Sequence, residues 1–461
     1  MSDWIALLAC WAALVALVAI VRWAAVGVRL GAEGKRKAVH IGMGLVTIGF
    51  PWLFSTWMWV AALCGLSLAT LLGIRVWERR KGVASVLHDV DRDSLGEVCF
   101  PIAVVWVFAL AEGEAWRFII PMLILTLADA AGALVGASYG RQKFRVLTSG
   151  SKSMEGSLLV FLVAFLSVHI PLLLMTDYGR AETLLIALIL ALLAMLIEAV
   201  SFRGLDNLLL PILSVLLLGK YVGLGVDELI LRSLVILGLL VVVLIGRRYS
   251  SLEGGALLGA VLFGYACFFF GDWRFVIPPL TLFVDHVVGS RRVRQEGMVP
   301  HDNLFAIFGI GGSFVLWLLL AAQSGESESE QMNVFLRGVA TAAAIHWSCI
   351  AYVTRKAMNR FRSEGGRTLR CEKEWRFVGK AVTFVLVPGL LLSLIGEEDL
   401  VGAAAQGVAC VVLVWLGMHG FQLLMGRPER YSQDGKRWAM QGLAALLLST
   451  PVWMFAELAR I

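Results

Sequence analysis

Apolar residues in this chain run in long blocks separated by short polar stretches, with no sustained alternation of the kind a half-buried strand shows. The blocks fall near 4–28, 39–53, 56–74, 98–111, 116–137, 156–176, 181–199, 208–224, 229–246, 255–271, 274–289, 304–322, 332–353, 377–395, 400–425 and 438–456. A helix crosses the hydrocarbon of a bilayer with roughly 20 apolar residues, so each block reads as one crossing. The stretch 39–77 is too long for a single helix, and Pro51 interrupts it, which predicts two crossings joined by a tight turn. The pattern therefore predicts an all-α fold, a polytopic transmembrane helix bundle with about 14–16 crossings.

Composition supports this reading. Hydrophobic residues make up 59% of the 461 and charged residues 16%, with a mean hydropathy of +0.80, an apolar excess that no water-soluble core could hide. The first block is too long for a signal-peptide core and has Asp3 before it in place of a basic residue, so it counts as the first crossing. Seven scattered cysteines, none in a CxxC pair, give neither a disulfide framework nor a zinc site.

The net charge of +6 does not imply a nucleic-acid partner, because the basic residues follow sidedness. When the loops are assigned alternately to two sides, one set holds GAEGKRK, RVWERRKG, GRQKFRV, GRRYSS, SRRVRQ, TRKAMNRFRSEGGRTLRCEKEWR and GRPERYSQDGKR, and most of the Lys and Arg. The other set holds EGE, TDYGRAE, GESESEQ and GEED. The positive-inside rule then places the basic loops in the cytoplasm and both termini outside. A change of polar motifs near Arg247–Glu253 divides the chain into halves of about 1–245 and 246–461.

Ionisable groups inside hydrocarbon cost on the order of 2.5–3.5 kcal/mol each on insertion scales, which makes them functional candidates. Asp129 sits within PMLILTLADAAGALVGASYG, and Glu198 near the end of LIALILALLAMLIEAVS. After Asp129, Gly132, Gly136 and Gly140 recur every fourth residue on one helical face, a spacing that admits another helix or a ligand. The basic loop that follows brings Lys152, Ser153, Glu155, Gly156 and Ser157 to the start of the next crossing, where amides, hydroxyls and a lysine suit phosphate oxygens. No GxxxxGK[ST] pattern occurs, which argues against a P-loop ATPase. Lys35, Arg36, Lys37 and His40 precede the second crossing, either as a topology anchor or as phosphate ligands, and Lys37 and His40 share a helical face. Arg92, Glu97 and Pro101 lead into the fourth crossing, and Asp206 and Asn207 into the eighth, so polar groups from five helix ends could converge on one site.

The ordered series KRKAVH, SLGEVCFP, LADAAGALVGASYGRQKF, SGSKSMEGS and EAVSFRGLDNLLLP, within residues 33–220, resembles the phytol, farnesol and dolichol kinase family of membrane proteins. The resemblance implies a CTP-dependent, Mg²⁺-requiring kinase acting on the hydroxyl of an isoprenoid alcohol. Its implied site comprises Asp129, Lys152, Ser153, Glu155, Gly156 and Ser157 for nucleotide and metal, completed by Glu198, Asp206 and Asn207. Under this reading Asp129 and Glu155 are the metal ligands, and Lys35, Arg36, Lys37 and His40, with the glycines, contact the nucleotide. Glu97 or Glu198 takes the alcohol proton. Nucleotide, isoprenoid alcohol and membrane lipids are the expected partners.

In the second half, residues 249–350 resemble the start of the phytyl-phosphate kinase family, but that family's acidic segment reads Ile345, His346, Trp347, Ser348, Cys349 and Ile350 here. This half is expected to be a degenerate partner or an accessory lipid-binding unit. It carries Asp285 and His286 in an apolar run, and His301, Asp302 and Asn303 at a helix start, with Asp302 read as an N-cap.

Two rival readings remain. A CDP-lipid synthase also joins CTP and Mg²⁺ to a lipid beside a Lys-x-x-Glu-Gly motif, but its acidic DRxD segment comes later in the chain, whereas Asp91-Arg92-Asp93 here precedes Asp129. A transporter or flippase would share the many crossings, but its polar groups belong at the midplane, not at one face.

Overall fold

The computed structural model describes residues 2–27, 32–81, 95–146, 150–295, 302–324, 329–364, 375–395, 399–425 and 435–454. Every apolar block falls on a helix. In chain order these are α1 (Asp3–Gly27), α2 (Ala32–Ile48), the single turn α3 (Phe50–Leu53), α4 (Trp57–Lys81), α5 (Gly96–Leu110), α6 (Ala115–Leu123) and α7 (Asp129–Tyr139). There follow α8 (Met154–Met175), α9 (Arg180–Val200), α10 (Asp206–Tyr221), α11 (Val226–Gly246), α12 (Gly254–Phe270), α13 (Ile277–Gln295) and α14 (Leu304–Ser324). The series closes with α15 (Ser329–Glu364), α16 (Trp375–Ala381), α17 (Val387–Ser393), α18 (Leu400–Met425) and α19 (Gly435–Ser449).

The protein is an all-α polytopic bundle. Among the described residues ten helices are long and apolar enough to cross a membrane, and Val98–Leu110 and Gly254–Phe270 are shorter apolar helices. Their outer faces are apolar, with Leu423 85% and Leu174 79% exposed, the surface expected where lipid is the solvent. Helices dominate because hydrocarbon offers no partner to a backbone N–H or C=O outside the helix's own ladder. Pro51 stands in α3, between α2 and α4, where the break was expected.

Two features depart from the sequence pattern. Residues read as a plain loop form an antiparallel hairpin, β1 (Lys143–Val146) with β2 (Gly150–Ser153), pairing Lys143 with Ser153 and Phe144 with Lys152. α15 runs on through 36 residues into the basic stretch assigned to a loop, because its Arg, Lys, Ala and Met residues are strong helix formers once the chain has left the lipid.

The chain divides into two compact units, Met1–Leu237 and Gly238–Ile461. In the first, α7 and α9 pack along α8, while α10 packs on α5, α6 and α9. In the second, α15 is the central helix, packed by α13, α14, α16, α17, α18 and α19. Its fully buried Ala342, Ala343 and Ala344 permit close approach.

The α7–α8 contact depends on glycine. A Cβ on Gly156 would stand 2.8 Å from the Gly132 carbonyl oxygen and 3.2 Å from the Gly136 Cα, and one on Gly132 would stand 2.3 Å from Val160 Cγ2. Gly156→Ala is expected to destabilise the purified protein by about 1–3 kcal/mol, because backbone must shift. Gly219→Ala in α10, with nothing within 4 Å of the added carbon, is expected to leave the melting temperature unchanged or slightly raised in the same thermal scan.

Candidate functional site

One end of the first unit gathers the ends of α2, α5, α7, α8, α9 and α10, and Lys37, His40, Asp129, Lys152 and Glu198, singled out in the sequence, meet there. α2 carries Lys37 and His40 three residues apart on one face. Opposite stands Asp129, the first residue of α7, which follows a π-helical turn over Ile124–Ala128. Such turns insert one extra residue into a helix and re-aim the side chains that follow.

Lys37 and Asp129 are both buried, at 4% and 5% exposure, and Lys37 Nζ lies 2.5 Å from Asp129 Oδ2. His40 Nε2 is 3.5 Å from the same oxygen and 3.0 Å from the Leu125 carbonyl. Both neighbours are acceptors, so Nε2 is the protonated nitrogen and donates to the carbonyl. The imidazole packs edge-on against Phe100, with ring centroids 5.4 Å apart.

A second pair stands beside the first. Lys152, on β2, donates to Glu198 Oε1 at 2.7 Å and also to the Glu198 backbone carbonyl. Lys152 is within electrostatic range of Asp129, and Asp206 is within range of both His40 and Glu198. The turn between α9 and α10 has positive φ at Arg203 (54°) and Gly204 (83°). The Arg203 carbonyl accepts from the Leu95 N–H at 2.8 Å, and Asn207 Nδ2 donates to the Gly96 carbonyl at 3.3 Å. These two bonds tie the start of α5 to the turn and fix where Asp206 and Asn207 stand.

The remaining sequence candidates are placed as follows. Ser153 is the N-cap of α8 and accepts from the Gly156 N–H at 3.1 Å. Ser157 is buried, and its hydroxyl has no partner among the described residues. Glu155 accepts from the Gln142 N–H at 3.2 Å, which holds the hairpin against the start of α8. Gly132 and Gly136 lie against α8, and Gly140 lies against Ser153, so the glycine face is occupied by packing within the unit. Lys35 and Arg36 are half-buried at the start of α2. The Glu97 side chain, Arg92, the Asp91–Asp93 string and His301 lie outside the described residues. No three His, Cys, Asp or Glu side chains among the described residues are grouped as a metal cage.

Sequence reasoning passed over Thr126. It lies in the π-helical turn three residues before Asp129, fully buried against Gly44, and its hydroxyl has no partner among the described residues. A hydroxyl in an otherwise apolar run just ahead of the acid was the available signal.

A curated protein named phytol kinase, from Synechocystis sp., is 32% identical to this chain over 202 residues, which cover 42% of this chain and 82% of the relative. The chain belongs to the phytol kinase family. No protein-family model matches the chain, and no solved structure matches it. None of these comparisons supports the phytyl-phosphate kinase resemblance of residues 249–350.

A buried charge left without its partner costs about 3–5 kcal/mol, whereas replacing both members of a pair costs far less. Lys37→Met and Asp129→Asn are each expected to destabilise the protein by that amount, with Lys37→Met/Asp129→Asn recovering most of the loss. A double-mutant cycle of thermal unfolding in detergent measures the coupling. Additive losses would show that the two groups do not depend on each other.

Proposed function

We propose that the chain is a prenyl-alcohol kinase that transfers phosphate from CTP, and that its first unit carries the site. The observation that carries this reading is the adjacency of two lysine–carboxylate pairs, Lys37–Asp129 and Lys152–Glu198, at one end of that unit. Membership of the phytol kinase family supplies the substrate class.

Phosphoryl transfer needs in-line placement and charge neutralisation more than covalent chemistry. The two lysines are held by carboxylates, and arriving phosphates offer them stronger anionic partners. Lys37 and Lys152 would turn to the phosphate oxygens, with Lys35 and Arg36 at the rim. The cap of α8, with Ser153, Gly156 and the unpartnered Ser157 hydroxyl, would add donors at a helix start, where anions are favoured. His40 and Asn207 keep the walls of this cradle in register, and the glycine packing of α7 on α8 brings Asp129 up to it.

Release of the lysines would free Asp129 for Mg²⁺. Magnesium commonly takes one or two carboxylates together with substrate phosphates, so the donor set fits without a three-residue cage. When bound, the ion would neutralise the charge of the phosphates. Glu155 would contribute by holding the hairpin that presents Lys152. Glu198 would accept the proton of the alcohol as its oxygen bonds to phosphorus and CDP leaves. The positive-inside pattern puts this end of the unit in the cytoplasm, where a soluble donor can meet a hydroxyl whose prenyl tail stays between helices.

The test is a kinase assay with CTP against ATP on phytol, farnesol, geranylgeraniol, dolichol and diacylglycerol. A prenyl phosphate and CDP are the expected products, with kcat lowered about a hundredfold or more in Asp129→Asn and in Lys152→Ala. Unchanged turnover in both variants, or a CDP-lipid released with pyrophosphate, would contradict the proposal.

A further inference from the structure

The second unit contains a cavity that the proposed kinase site does not use. Its wall is almost wholly apolar, with Leu239, Phe263, Pro279, Phe283, Ile310 and Trp438 among its lining residues. Two polar side chains, His286 and Asp302, also line it.

His286 and Asp302 belong to a built network. Ser251 Oγ stands 2.7 Å from Asp302 Oδ2 and 2.8 Å from His286 Nε2, and Ser290 Oγ stands 3.2 Å from Ser251 Oγ and 3.4 Å from His286 Nε2. Both serines are buried. Backbone bonds fix the arrangement, since the Asp302 N–H donates to the Ser251 carbonyl at 2.9 Å and the Glu253 N–H donates to the Asp302 carbonyl at 2.9 Å.

The proton count decides what this network can do. The Ser251 hydroxyl has one proton. Donated to the Asp302 carboxylate, it leaves Ser251 Oγ accepting from a protonated His286 Nε2. The imidazole is then a donor to the serine and not its base, and the carboxylate bonds the serine rather than the imidazole. This is the wrong polarity for a nucleophilic serine. An ionised carboxylate accepts at about four lone-pair positions, and among the described residues Ser251 fills one of them. An acceptor at the end of an apolar cavity selects a ligand with a donor at the end of an apolar chain.

Position agrees with this chemistry. Ser251 precedes α12, Asp302 precedes α14, and His286 and Ser290 lie in the second half of α13, so the polar end is at the helix termini, beside exposed Arg247 and Arg248. The apolar part runs inward from it; from His286 back to Pro279 is seven residues of α13, about 10 Å of helix.

We infer that the second unit binds a neutral long-chain lipid alcohol in this cavity, with the hydroxyl donating to Asp302 and the chain lying between α11, α12, α13 and α14. This goes beyond the kinase reading and does not depend on it. Asn303, and not Asp302 as the sequence suggested, caps α14 by accepting from the Phe305 N–H at 3.0 Å, and Asp302 instead faces the serine network.

The test uses the full chain in lipid nanodiscs, photolabelled with a diazirine-bearing farnesol and mapped by mass spectrometry of its peptides. Label is expected on peptides from 277–295 or 304–324, and is expected to be displaced by farnesol more effectively than by farnesyl monophosphate. Ala260→Phe, which fills the cavity, and Asp302→Ala, which removes the acceptor, are each expected to lower that label about tenfold. The label is read without CTP or Mg²⁺, so that a failed kinase assay and a failed lipid site remain distinguishable. Label absent from these peptides, undiminished in Ala260→Phe, or displaced better by the monophosphate would overturn the inference.

Discussion

The arrangement of the first unit depends on one buried ion pair, Lys37 with Asp129. Neither group has water to solvate it, and each would be strongly destabilising alone. Their mutual need fixes the start of α2 against the start of α7. His40, one turn further along α2, is brought to the same oxygen and to the carbonyl of Leu125. The second pair, Lys152 with Glu198, then fixes the hairpin against the end of α9. Helix ends that lipid would leave free to slide are thereby held in one register, and the groups that hold them are those we propose for the phosphate donor.

The fold was legible because hydrocarbon solvent permits few answers. Long apolar blocks must be helical, and each block is, although 39–53, 116–137 and 377–395 are each divided between successive helices. The site candidates were legible for the same reason, since Asp129 and Glu198 are conspicuous where charge is costly. Their pairing was not. Lys37 reads equally well as a topology anchor, and nothing along the chain shows that it faces Asp129 across 92 residues. The glycine series was ambiguous in the same way, because spacing that admits a ligand also admits a helix, and in the structure α8 lies there.

The hairpin and the cavity were less visible still. Lys143–Val146 and Gly150–Ser153 are four residues each, too short for a periodic signal. The cavity has no sequence signature, because residues facing lipid, a packed core or an apolar ligand are all hydrophobic. Its polar end unites His286 and Ser290 of α13 with Ser251 before α12 and Asp302 before α14, and among these His286 and Asp302 alone stood out in the sequence. The two units thus pose different chemistry: lysine–carboxylate pairs in the first, and in the second a serine–histidine–carboxylate network at the end of an apolar chamber.

Binding of radiolabelled CTP with Mg²⁺ to the purified full chain, measured by equilibrium dialysis, tests the central claim most directly. Saturable binding that weakens at least about tenfold in Lys152→Met, and likewise in Lys37→Met, is the predicted result. Saturable binding of equal strength in the native protein and both variants would contradict the assignment of the paired lysines to the phosphate donor.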